Sequence, residues 1–281
     1  MIILNKRILK SCIFGVFAIL ISVGVYIKYF TSRCILCNSH SIKRYGAYVY
    51  PFVLDRAFNN DKNVKTDILY CRKCDFSFFE LRPDNTAMAK LYKDYRGVEY
   101  QKLRQMYEPE YTEKFNFDLG HAAIKERKEH VGKILNKVCD ISKIKNVLDY
   151  GGDEGQFMPD ELSDCNRCVY EISNINPLPG IKKITSYDEL LKQEWDFMML
   201  CHVLEHVSDP AGFLKNEVLP LLKRGGILYI EVPVQPVYCS MDGVCTTGLH
   251  EHINFFLKKP SREYLQKIMS LKYSTLRPQM V

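Results

Sequence analysis

Three kinds of apolar pattern run along the chain. The first, residues 11–27 (SCIFGVFAILISVGVYI), carries no charge and lies between Lys6, Arg7 and Lys10 on one side and Lys28 and Arg33 on the other. A helix crosses a bilayer with about 20 apolar residues, and Tyr26, Tyr29 and Phe30 can extend this run through the interface. The pattern predicts a single-pass N-terminal membrane anchor over residues 1–32. A cleaved signal peptide fits less well, since no small-x-small cleavage site follows. The second pattern is helical: residues 85–135 contain few breakers and include YKDYRGVEYQKLRQMYEPEY. The third is a set of short apolar segments at about 144–149, 166–171, 181–185, 195–201 and 226–233, separated by helical stretches. Strands that alternate with helices make a parallel, doubly wound, Rossmann-like sheet, so the fold class is α/β. Ligands in such sheets bind beyond the carboxyl ends of the strands.

With 281 residues the chain can hold one sizeable α/β domain and a small accessory one. The patterns divide it into an anchor (1–32), a cysteine module (33–84), a helical cover (85–135) and the α/β domain (136–281). A net charge of +6 permits contact with nucleic acid or an anionic surface but demands neither. The eleven cysteines are odd in number and mostly scattered, which points to a reducing compartment.

Four of those cysteines do form a pattern. Cys34-Ile-Leu-Cys37 and Cys71-Arg-Lys-Cys74 are two Cys-x-x-Cys knuckles. Two such knuckles can offer four thiolates to one tetrahedral structural Zn²⁺. The alternatives are disulfides or four unrelated thiols. Tyr48-Val49-Tyr50-Pro51-Phe52 alternates between them and reads as part of the short strands of a zinc ribbon, a module too small to fold without its metal. Cys165 and Cys168 have the same spacing but enter a buried strand, where thiols pack as small apolar groups.

In the α/β domain the stretch VLDYGGDEG, residues 147–155, is a buried strand followed by a tight turn. Glycines belong there when a nucleotide-like ligand approaches the backbone closely, and a following helix would direct its free N–H groups at that ligand. A glycine turn with no ligand is the plain alternative. Glu171, 22 positions beyond Asp149, ends the second strand, where an acid can accept both ribose hydroxyls. Cys201 and His202 end the fourth strand. His202, Glu205 and His206 match the H-x-x-E-H of inverse zinc peptidases, but His202 directly follows an apolar strand instead of lying on a helix with its partner.

Taken together, DYGGDEG, VYEIS, HVLEHVSDP and HEHINFF resemble the class I S-adenosylmethionine (SAM)-dependent methyltransferases. The likeness is to bacterial members with an N-terminal two-knuckle zinc module, a group that includes sugar C-methyltransferases and polysaccharide-cluster enzymes. It spans residues 34 to about 270. It implies that Asp149, Gly151, Gly152 and Gly155 form the cofactor loop, with Asp153 where the middle glycine is usual. Glu171 would bind the ribose, Cys201 and His202 would stand beside the sulfonium, and Cys34, Cys37, Cys71 and Cys74 would hold zinc. In the sugar C-methylating relatives an equivalent Glu-His pair removes a proton beside a keto group, which makes His252 the expected base and Glu251 its orienting partner. Histidine suits that task because it titrates near neutrality.

The resemblance implies methyl transfer to a small or carbohydrate-type substrate, on carbon or oxygen, with a place in surface-polysaccharide synthesis. The SAM supply would place the catalytic domain on the cytoplasmic side of the membrane. An RNA substrate is the second reading, motivated by Lys43, Arg44, Lys62, Lys65, Arg72 and Lys73, but no Asn/Asp-Pro-Pro-aromatic motif follows the fourth strand and nucleic acid is not the expected partner. A tethered, non-catalytic binding module is the third. Relatives end with a β-hairpin, and this chain stops at about its first strand, Tyr273–Leu276, so the domain reads as C-terminally short.

Overall fold

The computed structural model describes residues 26–28, 32–171, 173–235, 237–239 and 245–256. The chain begins with β1 (Tyr26–Lys28), β2 (Ile42–Ala47), α1 (Pro51–Phe58), β3 (Thr66–Cys71), β4 (Phe76–Phe79) and β5 (Leu81–Pro83). Strands β2, β3 and β4 form an antiparallel sheet that carries the second knuckle at its turn, and β1 pairs with β5. The alternation at Tyr48–Phe52 does not become a strand, because Pro51 opens α1. Proline is favoured there: its φ already suits a helix and its missing N–H would have no partner in the first turn.

Residues 11–25 of the expected anchor lie outside the described residues, and Tyr26–Lys28 is a strand, not the end of a helix. Among the described residues no helix is long and apolar enough to cross a membrane. The expected terminal strand at Tyr273–Leu276 also lies outside the described residues.

The helical stretch divides into α2 (Asn85–Leu91), α3 (Val98–Tyr107), α4 (Glu113–His121) and α5 (Ile124–Val138). Capping residues explain several of the breaks. The Asp84 carboxylate accepts from the N–H groups of Thr86 and Ala87, and the Thr112 hydroxyl accepts from Phe115 N–H. Then come β6 (Asn146–Tyr150), β7 (Asn166–Tyr170), β8 (Lys182–Ile184), α6 (Tyr187–Leu190), β9 (Trp195–Cys201), α7 (Pro210–Phe213), β10 (Leu222–Glu231) and β11 (Asn254–Phe256). Strands β6 to β10 form one parallel sheet in the order β10-β9-β6-β7-β8.

Strand β9, WDFMMLC, shows why this sheet is an interior one: no side chain from Phe197 to Cys201 is more than 7% exposed. Phe197 and Met199 face a cluster with Val131 and Leu135 of α5, while Met198 and Leu200 join one with Leu69, Phe76 and Phe78 of the knuckle strands. Near-continuous apolar sequence is what a strand covered on both faces requires.

The helix expected directly after the glycine turn does not form. The 15 residues from Gly151 to Cys165 hold turns and one 3₁₀ turn, Asp160–Leu162. Pro159 stands in the middle, and the segment lacks the apolar repeat that would dock a helix. Strand β11 returns to the knuckle sheet and pairs antiparallel with β4, Asn254 opposite Phe78. The expectation of reduced thiols meets one exception, a disulfide between Cys239 and Cys245. Cys165 and Cys168 remain unpaired.

Candidate active site

A cleft of about 990 Å³ opens beyond the carboxyl ends of β6, β7, β9 and β10. Gly151 and Gly152, Glu171, and Cys201 with His202 line it from three of those strand ends. Asp149 lies below its floor and Gly155 at the end of the turn. One wall of the cleft is therefore set by the chain within a few residues of each strand.

Gly151 has φ 69°, a conformation that a side chain resists. Gly152 needs glycine for a different reason, since a Cβ there would lie 2.3 Å from Cγ of Asp149. Gly155 also has positive φ, as does Asp153 at 56°, which an aspartate tolerates. Asp153 uses its side chain to take an ion pair from Arg96 Nη1 at 3.0 Å, and its N–H donates to Glu171 Oε2 at 3.2 Å. The departure from a glycine thus ties the helical cover to the loop. Glu171 Oε1 accepts from Ser173 N–H at 2.8 Å, which leaves lone pairs on both oxygens for a ligand.

Asp149 is fully buried, and neither carboxylate oxygen has a hydrogen-bond partner. Burial pushes it up to about 7 from 3.8, with Arg127 pulling the other way. A buried acid without donors costs several kcal/mol, so this one is poised for a cationic or donating ligand. The donor set and the glycine cradle fit a nucleotide-type cofactor.

His202 completes this strand-end wall. His202 takes φ 57° at the end of β9, which prevents a helix through H-x-x-E-H and separates it from the peptidase arrangement. Its Nδ1 lies 3.1 Å from Glu205 Oε1 and its Nε2 lies 3.3 Å from Glu231 Oε1. Burial would lower His202, but the two carboxylates outweigh it and hold it at about 9. Glu231 is correspondingly low, about 2: burial opposes this, while His202 and Arg127 favour its charged form. Arg127 Nη2 lies 2.7 Å from Glu231 Oε1. Burial, with Asp149 and Glu231 nearby, pushes the Cys201 thiol well up.

Glu251 and His252 both line the cleft, but the fold does not pair them as expected. Glu251 accepts from the Tyr100 hydroxyl and from Arg104 Nη1 at 3.0 Å, and burial is outweighed by Arg104 and His250 so that it lies below the usual carboxylate range. His252 instead donates from Nδ1 to Gln235 Oε1 at 2.7 Å, and its ring stands edge-on to His206, centroids 4.8 Å apart. Burial and His206 lower His252 to about 4. The reason is geometric: neighbours in an extended segment point to opposite sides.

Sequence reading missed Arg82. Its guanidinium is buried, and it donates to the carbonyls of Phe79, Val207, Ser208 and Ile253 and to Asn254 Oδ1. This clamp joins the turn carrying His206 to the segment carrying His252. No local pattern announces it, because all its partners but Phe79 lie more than a hundred residues away. Of the tyrosines and arginines in the helical cover, Tyr95, Arg96 and Arg104 line the cleft, whereas Tyr100 and Tyr111 are buried beneath it and Tyr107 sits outside on Asp55.

The four knuckle sulfurs come together, with one atom of each within 4.8 Å of the others. Cys34 Sγ and Cys74 Sγ are 3.7 Å apart, and Cys37 Sγ and Cys71 Sγ 3.6 Å. Ligands 2.3 Å from a tetrahedral centre stand about 3.8 Å apart, so these residues fit a four-thiolate ion. The Cys74 thiol beside it lowers Cys34 to about 6. Arg44, one of the basic residues near the knuckles, is held by Asp67 at 2.9 Å and Glu80 at 2.7 Å.

A methyltransferase-domain family matches residues 112–273, and the chain belongs to that family. No curated protein matches it. Among solved structures it is similar to an O-methyltransferase family protein from Burkholderia thailandensis, at 14% identity and a TM-score of 0.33, over 46% of this chain and 43% of that one. It is also similar to the plantazolicin methyltransferase BpumL in complex with a pentazolic desmethylPZN analog and SAH, at 14% identity and a TM-score of 0.35, over 51% and 55% of the two chains. The chain spans about half the length of these structures, and likeness at this level carries nothing about substrate.

Proposed function

We propose that the chain is a SAM-dependent methyltransferase for a small, polar, carbohydrate-type acceptor, methylated on oxygen or carbon. The observation that carries this proposal is Asp149, a fully buried carboxyl with two unpartnered oxygens against Gly152. SAM, when bound, supplies an electrophilic methyl group on a positively charged sulfur. Gly151 and Gly152 would let it approach the backbone, Asp149 would balance its positive charge, and Glu171 would accept its ribose hydroxyls with the lone pairs that Asp153 and Ser173 leave free. Cys201 and His202 would stand beside the sulfonium.

The far wall supports a polyhydroxylated acceptor, since Tyr95, Arg96, Arg104, Glu108 and His250 present donors and acceptors around the same cleft. His252, neutral near pH 7, would take the acceptor's proton. A base that weak removes a proton only from an acceptor already acidified, such as a carbon beside a keto group or a polarised hydroxyl. Cys34, Cys37, Cys71 and Cys74 would hold a structural zinc ion under the site.

Calorimetric titration of SAM into the full chain tests the cofactor assignment. Saturable micromolar binding is expected, and Asp149→Ala is expected to abolish it. Unchanged binding in that variant would remove the assignment.

A further inference from the structure

We propose that Glu205, His206 and His252 form a divalent transition-metal site in the cleft wall, with open positions that take oxygen atoms of the acceptor. One ligand atom of each lies within 4.8 Å of the others, and His206 Nε2 is 3.9 Å from Glu205 Oε1. Nitrogen and oxygen ligands bind such ions at about 2.0–2.2 Å, hence roughly 3–4 Å from each other. Side-chain shifts of under about 1 Å would complete the set.

The hydrogen-bond pattern around the cluster is the stronger observation. His206 Nδ1 lies 3.0 Å from the Glu251 carbonyl and 2.5 Å from the Tyr92 hydroxyl, and His252 Nδ1 lies 2.7 Å from Gln235 Oε1. The two carbonyl oxygens only accept, which assigns a hydrogen to each Nδ1. The Tyr92 hydroxyl then shares that of His206 as an acceptor and turns its own hydrogen to the Glu251 carbonyl at 3.4 Å, and each Nε2 keeps its lone pair. Metal-bound histidines are oriented in this way, the outer N–H on a carbonyl and the inner nitrogen on the ion. Glu205 adds the complementary feature: it is 0% exposed, one oxygen meets His202, and Oε2 has no partner. Arg82 and Asn254 fix the turn that carries Glu205 and His206, the amide of Asn254 donating to the carbonyls of Leu204 and Val207 at 2.8 and 2.7 Å.

Two imidazoles and a carboxylate are a borderline donor set, suited to zinc, iron(II), cobalt(II) or manganese(II), and unlike the four soft thiolates of the knuckles. His206 and His252 line the cleft, so an ion held by them would keep positions open toward it. Resting on the methyltransferase reading, this site deepens it: an open, Lewis-acidic ion would select an acceptor with two adjacent oxygens, a vicinal diol or a hydroxy-ketone. It would acidify the one to be activated so that its proton leaves to water, His252 Nε2 then serving as a ligand in place of its role as base.

Cobalt(II) is the probe, added to the full chain after chelator treatment, with metal counted and the visible spectrum recorded. Two equivalents are expected: one with the intense charge-transfer bands of thiolate ligation, the other with only weak ligand-field bands. His252→Ala and His206→Ala are each expected to lose the second equivalent and keep the first, with unchanged melting. If a variant fails to fold, paramagnetic shifts of histidine ring protons in the unmodified chain locate the second ion directly. A single thiolate-type equivalent in the unmodified chain, a second equivalent that survives in folded variants of both histidines, or no shifted histidine signals at two equivalents would each overturn the site. SAM binding measured on the same sample separates the two proposals, since loss of cofactor binding with an intact second equivalent removes only the methyl-transfer reading.

Discussion

The two walls of the cleft are built by different means. On the glycine side, Asp149, Gly151, Gly152 and Gly155 fall within seven consecutive residues, and Glu171 follows one strand later. On the histidine side, Arg82, Tyr100, Arg104, Glu205, His206, Glu251 and His252 are spread over 171 residues of sequence. Their arrangement depends on β11 joining the knuckle sheet and on one buried guanidinium. A site made by local backbone can be read from a short string, and a site made by tertiary clamps cannot.

The largest effect is expected where the clamp is removed. Arg82→Leu would leave several buried carbonyls and the Asn254 side chain without donors, a loss of about 3–5 kcal/mol in urea unfolding. A change under about 1 kcal/mol would mean that the histidine wall holds itself together and the contrast between the walls is false.

Particular residues show how far the sequence reached. Strand β9 was legible because seven residues, WDFMMLC, are apolar almost throughout, a pattern only a doubly covered strand needs. The knuckle cysteines were legible as a set because paired spacing brings two thiols together locally and a shared ion asks for four. The helix expected after the glycine turn does not form: a nucleotide-type loop usually opens one, but Pro159 and a crossover of 15 residues leave room only for turns. Tyr48–Phe52 alternates like a strand, yet Pro51 sets a helix there. Glu251 and His252 are adjacent in sequence, and nothing local says that one turns to Arg104 and the other to Gln235.

A second, smaller effect tests the legible wall. Gly152→Ala places a methyl group 2.3 Å from Asp149 Cγ, so either the loop or the carboxyl must move. Overpacking of this kind costs about 1–3 kcal/mol, and SAM affinity is expected to fall at least about tenfold while the thiolate metal stays bound. Calorimetry and a urea melt on the same preparation check both. Full affinity would show that the glycine is there for the turn and not for the ligand.

The smallest effect is a fraction of a proton, and it probes the charge design of the glycine wall. Asp149 stands at about 7 in the folded chain, above its unfolded value of 3.8, because burial disfavours its charge. The folded state therefore holds this proton more tightly than the unfolded one. That contribution to stability is fully present below about pH 4 and is lost as pH rises through about 7. A cationic ligand beside Asp149 reverses the balance, because it favours the carboxylate and drives the proton off. At pH 7 the unliganded group is about half protonated, so SAM binding should release about half a proton, fewer at pH 8.5 and close to one at pH 6. Titrations in buffers of different ionisation enthalpy measure that number, and Asp149→Asn should bring it to zero. Release that does not rise toward pH 6 would mean the ligand's charge is met by Glu171 or Glu231 instead, and that the buried acid serves the turn alone.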